Sequence, residues 1–87
     1  MILRMYAVRD TKTTFLSPTL DCNDDAAKRN FSIMLDSAAE FSAFKHNPAD
    51  FELYYIGDFD SDSGRVSPPT IPEFIISGGM IYENASN

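Results

Sequence analysis

The stretch Phe51-Glu52-Leu53-Tyr54-Tyr55-Ile56-Gly57-Asp58-Phe59 constrains this chain most. It is rich in aromatic and β-branched residues and runs straight into Asp60-Ser61-Asp62-Ser63-Gly64, a cluster of turn formers. Such a run reads as a strand entering a hairpin. With period two, Phe51, Leu53, Tyr55 and Phe59 share one face, and Glu52, Tyr54, Ile56 and Asp58 share the other. A lone hairpin is at best marginally stable in water, so other strands or a helix must cover it.

The rest of the chain supplies both. Ile2 to Val8 reads as a strand, with Leu3, Met5 and Ala7 on one face and Ile2, Arg4, Tyr6 and Val8 on the other. Asp10 to Thr13 turns into a short extended piece, Thr14-Phe15-Leu16, which Pro18 ends. Asn23 is a good N-cap, and Asp24 and Asp25 follow in the first turn, where carboxylates suit the helix dipole. From there Ala27, Phe31, Met34 and Leu35 form a helical stripe, with Lys28 and Arg29 pointing away.

Ser37-Ala38-Ala39-Glu40 has the capping-box pattern of a second, shorter helix carrying Phe41 and Phe44, which Asn47-Pro48 ends. Arg65-Val66 leads back along the sheet, and Ser67 to Pro72 is a stiff connection that no central strand could contain. Phe74-Ile75-Ile76 begins a last strand, broken at Gly78-Gly79 and resumed at Met80-Ile81-Tyr82. The expected architecture is α+β: a small, mostly antiparallel sheet with two helices packed on one face. At 87 residues the chain is expected to be one domain, spanning 1–87, with a Pro-rich connection at 67–72 and a loose tail at 83–87.

Chemistry is sparse. His46 has no neighbouring cysteine or carboxylate to complete a zinc site or a nucleophile–base pair. Asp58 to Gly64 begins like a calcium loop, but Ser63 stands where the loop needs glycine and Pro69 where it needs a bidentate glutamate. Gly78-Gly79 lacks the strand-then-helix setting of a phosphate cradle. Cys22, the single cysteine, rules out an intrachain disulfide and reads as a small buried hydrophobe. The expectation is therefore no catalytic residue, no metal and no cofactor. Without a signal peptide or a long apolar run, the expected location is a cytoplasm, with no membrane partner.

The net charge of −6 opposes sequence-independent coating of DNA, which draws its affinity from cations. If the helices cover Leu3, Met5, Leu53 and Tyr55, the opposite face presents Arg4, Tyr6, Val8, Tyr54 and Ile56. Such a face could stack single-stranded bases, form a self-complementary homodimer interface, or lie under the C-terminal segment around Phe74 to Tyr82. Charge favours protein contact over DNA contact. The candidate binding surface is Arg4, Tyr6, Arg9, Tyr54 and Ile56, and the candidate acidic turn is Asp58, Asp60 and Asp62.

Asn47-Pro48-Ala49-Asp50-Phe51-Glu52-Leu53-Tyr54-Tyr55-Ile56-Gly57-Asp58-Phe59-Asp60 through Gly64 resembles a pattern in the small nonstructural protein of gokushovirus-type microviruses, phages with circular single-stranded DNA. The opening Leu3 to Asp10 and the Asp-rich helix start at Asn23 to Phe31 resemble it too, in the same order, so the likeness covers about residues 3–66. The resemblance implies a nonstructural protein, often described as DNA-binding or likened to the protein that switches replication from double-stranded synthesis to packaging of single strands. It implies no catalytic residues. The expected partners are viral replication or assembly proteins, single-stranded DNA and a second copy, in the host cytoplasm. The alternative expectation is an acidic interaction protein that binds or inhibits a host factor through its acidic turn.

Overall fold

The structure is a computed structural model, and it describes residues 1–85. Its centre is a long antiparallel pair, β1 (Ile2–Asp10) and β3 (Phe51–Asp60). β2 (Thr19–Asp21) flanks β1, pairing Met5 with Leu20. The outer neighbours of β3 are β4 (Val66–Ser67) and β5 (Glu73–Ser77), both antiparallel to it. These two act as one edge strand interrupted at residues 68–72, because the prolines there have no N–H to give a ladder. The expected α+β architecture, an antiparallel sheet with helices on one face, is the observed one.

α1 (Asp24–Asp36) starts as its sequence dictates, the Asn23 side chain accepting the Ala26 N–H at 2.8 Å. Its stripe of Ala27, Phe31 and Leu35 is buried, with Met34 beside it. The second helix is shorter and later than expected. Ser37 closes α1 instead of opening α2, giving both its N–H and its hydroxyl to the Ile33 carbonyl. The cap of α2 (Ala43–His46) is Ser42, which accepts the Lys45 N–H. Phe44 then reaches the core, 4.4 Å from the Phe51 ring, whereas Phe41 is 94% exposed.

The C-terminal segment departs from expectation. Residues 78–82 do not resume a strand but form α3 (Gly78–Ala85). The Ser77 hydroxyl accepts the Met80 N–H, which starts the helix. Gly78 sits so close to the 3-10 turn at Pro48–Asp50 that a Cβ would lie 2.1 Å from the Pro48 carbonyl oxygen. The tail expected from residue 83 is thus helical to Ala85, and residues 86–87 lie outside the described part.

The core lies between sheet and helices: Tyr6, Ala27, Phe31, Leu35, Phe51, Leu53 and Tyr55. This corrects the expected pairing of faces. Tyr6 stands opposite Tyr55, and Val8 opposite Leu53, so the even residues of β1 join the odd residues of β3 under the helices. Met5 pairs with Gly57, which leaves Ile56 as an extra, unpaired residue. That bulge shifts the alternation of β3, so Phe59 leaves the Phe51–Tyr55 face and Asp58 joins it. Gly57 makes the shift possible, with φ of +151° and the Pro68 backbone 3.3 Å from where a Cβ would project.

Candidate interaction face

On the helix side, β1 and β3 bring a polar cluster together at the start of α1. The Arg4 Nε donates to Asp24 Oδ1 and to the Tyr6 hydroxyl, each at 3.0 Å. Tyr6 in turn donates to the same Asp24 oxygen. The guanidinium carbon of Arg4 lies 3.8 Å from the centre of the Tyr55 ring, and the Tyr55 hydroxyl donates to Asp58 at 2.8 Å. Burial first, then the bond to Asp24, pushes the Tyr6 phenol up to about 12. Burial and the bond to Asp58 likewise raise Tyr55. Every polar group here answers another, which makes the cluster a bolt between sheet and helix.

Tyr6 is therefore not part of an open surface, being 0% exposed beneath the helices, and Arg4, 32% exposed, is held on that side by Asp24 and Tyr55. Arg9 and Tyr54 lie on the opposite face, and Ile56 occupies the bulge. The five residues expected to form one surface are split between two faces, because the register pairs Tyr6 with Tyr55 rather than with Tyr54.

The acidic turn is also engaged within the chain. Asp58 accepts from Tyr55, and Asp60 accepts the Asp62 N–H and the Ser63 hydroxyl. Those two bonds hold the Asp60 carboxyl below the usual carboxylate range. Asp62 meets the Met1 amine. Cys22, expected to be buried, is exposed. Among the described residues no three His, Cys, Asp or Glu side chains are grouped to hold a metal, and no helix is long and apolar enough to cross a membrane.

Among the described residues no helix covers the other sheet face. α3 packs on the helix side, where Ile81 reaches the core and the Tyr82 hydroxyl meets Asp36 at 2.6 Å. The C-terminal helix thus leaves this second face open. An aromatic ridge crosses it: Phe15 contacts Tyr54 edge-on at 5.4 Å between ring centres, and Tyr54 contacts Phe74 at 5.8 Å. Further along the strands, Met5, Pro18, Leu20, Phe59 and Val66 line a recess of about 250 Å³. Phe15, Leu20, Val66 and Phe74 are between 41% and 53% exposed. Arg9 and Glu52 pair in register on this face, and Glu52 accepts the Tyr54 hydroxyl at 3.2 Å. Among the described residues Arg9 forms no ion pair.

Sequence reasoning placed Tyr54 and Arg9 on a working surface but missed Phe15, Phe74, Leu20 and Met5. Pairing supplies the missing signal: Phe15 bridges Arg9, Phe74 pairs with Tyr54, and Leu20 pairs with Met5.

No curated protein and no solved structure matches this chain. A family model, that of the Phage ORF5 protein, matches residues 3–81, from the first residues of β1 into α3. With nearly the whole described fold inside that match, the chain belongs to the Phage ORF5 protein family.

Proposed function

We propose that this phage protein is a non-catalytic binding protein of a gokushovirus-type microvirus, supporting synthesis or packaging of the single-stranded genome in the host cytoplasm through protein contacts on the open sheet face. The resemblance of residues 3–66 to the microvirus nonstructural protein supports the viral setting. The observation that carries the mode of action is the uncovered ridge Phe15–Tyr54–Phe74 beside the recess at Met5 and Leu20. Aromatic side chains half open to water are the usual anchors of protein interfaces.

Charge favours protein over nucleic acid as the main partner. Arg9 is the face's one cation and stands opposite Glu52, so the strands offer phosphates little attraction. The acidic turn is the second candidate surface, for a basic host factor: Asp58 and Asp60 hold bonds within the chain, while Asp62 stays 85% exposed beside the Met1 amine.

Titration of the purified protein with labelled single-stranded DNA across a salt series tests this reading. One cation corresponds to a slope of about −0.7 in log affinity against log salt, with weak binding throughout. Tight binding with a slope several times steeper would overturn it in favour of direct genome coating.

A further inference from the structure

We propose that the open sheet face is closed by the same face of a second copy of this chain, giving a two-sheet sandwich with the helices outside. This deepens the reading of that face as the working surface, and rests on it.

The first argument is self-complementarity. The face carries both a projection, the ridge Phe15–Tyr54–Phe74, and a hollow of about 250 Å³ around Met5, Leu20 and Phe59. The two lie at successive levels along the strands, Tyr54 opposite Ala7 and the hollow at Met5. A two-fold axis running across the strands between them sets each ridge over the partner's hollow. A symmetric dimer makes both contacts with one patch.

The second argument is area. Four strand positions, β2, β1, β3 and the β4/β5 edge, at about 4.8 Å each span roughly 19 Å. The ten residues of β3 extend roughly 34 Å. Because β2, β4 and β5 are shorter than β3, the flat footprint of the strands is about 470 Å², and projecting rings with the flanking Phe15 and Pro18 raise the accessible area toward the roughly 800 Å² per partner of a stable interface. The packed sheets would then lie about 10 Å apart, as in other sandwiches.

The third argument is charge. The chain carries −6, and approach of two copies is opposed wherever that charge faces itself. Arg9 and Glu52 cancel on this face, so the whole excess lies elsewhere. A strongly charged partner would gain nothing here, while a second neutral, apolar face gains burial.

The test is the mass of the full chain in solution by sedimentation equilibrium, alone and with labelled single-stranded DNA. The expected mass is twice the 9.7 kDa of one chain. Phe74→Glu on the ridge and Leu20→Glu in the hollow should each raise the dimer dissociation constant at least about tenfold, with far-UV circular dichroism unchanged. Should either variant fail to fold, Val66→Glu on the rim of the hollow, 53% exposed, replaces it. Ile33→Glu on α1, 56% exposed, should leave the dimer intact.

A single-chain mass at about 100 µM overturns the proposal. So does a dimer broken by Ile33→Glu but not by the sheet variants. A monomer whose DNA binding is lost in Phe74→Glu overturns the dimer as well, while keeping the face as the working surface. A dimer that coats DNA tightly with a steep salt slope keeps this proposal and removes the protein-contact reading.

Discussion

Arg4 lays its guanidinium over the ring of Tyr55, 3.8 Å from its centre, and turns its Nε to Asp24 at the start of α1. One side chain thus ties both central strands to the helix above them. The Asp24→Ala variant removes the acceptor shared by Arg4 and Tyr6. Because Asp24 is 43% exposed, the expected loss is at the lower end for charged hydrogen bonds, about 1–2 kcal/mol by urea denaturation. Arg4→Lys keeps the charge but loses the planar stack, and should cost about 1 kcal/mol.

Tyr6 gives the fold an alkaline limit. The unfolded phenol releases its proton near 10, whereas the folded one holds it until about 12. The raised value means that the folded state binds the proton more tightly. Its contribution is fully present below pH 10 and is lost as pH rises from there through about 12. Absorbance of tyrosinate at 295 nm should show a component near pH 12 that disappears in Tyr6→Phe. That variant should also flatten the fall of stability over the same window.

Gly78→Ala should be costly. The added methyl would meet the Pro48 carbonyl oxygen at 2.1 Å, and both the helix start and the 3-10 turn are backbone that must move. A loss of about 2 kcal/mol or more is expected, read as a lowered melting temperature.

The two helix starts separate cleanly. Asn23→Ala should cost about 1 kcal/mol, since its side chain satisfies the Ala26 N–H. Glu40→Ala should change stability by less than about 0.5 kcal/mol, because Ser37 closes α1 rather than opening a capping box with Glu40. A large Glu40 effect in the same denaturation series would restore the capping-box reading.

The legibility of the chain follows the range of the interactions involved. Asn23 and the stripe Ala27, Phe31, Met34 and Leu35 depend on neighbours within a few residues, and the pattern places them correctly. Each central strand was readable alone as well, and so were its two faces, except beyond the Ile56 bulge, where Asp58 and Phe59 exchange sides. What the pattern does not contain is which face of β1 meets which face of β3, because that depends on pairing Tyr6 with Tyr55, far apart in sequence. The candidate surface divided for this reason: Arg9 and Tyr54 stayed on the open face, Arg4 and Tyr6 went to the helix side, and Ile56 fell in the bulge. The C-terminal helix was misread because Met80, Ile81 and Tyr82 suit a strand equally well. The Ser77 cap and the fit of Gly78 against Pro48 decide it, and the second of these is a tertiary contact.

Ile56 and Gly57 make β3 a strand of two reading frames. Up to Tyr55 odd positions face the helices, and from Asp58 even positions do. A position in the first half and its apparent counterpart an even number of residues later answer to different environments, one dry and one wet. Straightening the strand with every residue kept would pair Ile56 with Met5, sending the Asp58 and Asp60 carboxylates onto the apolar face and the Phe59 ring toward the helices. The bulged backbone at this point is thus a stricter constraint than the identity of most side chains around it.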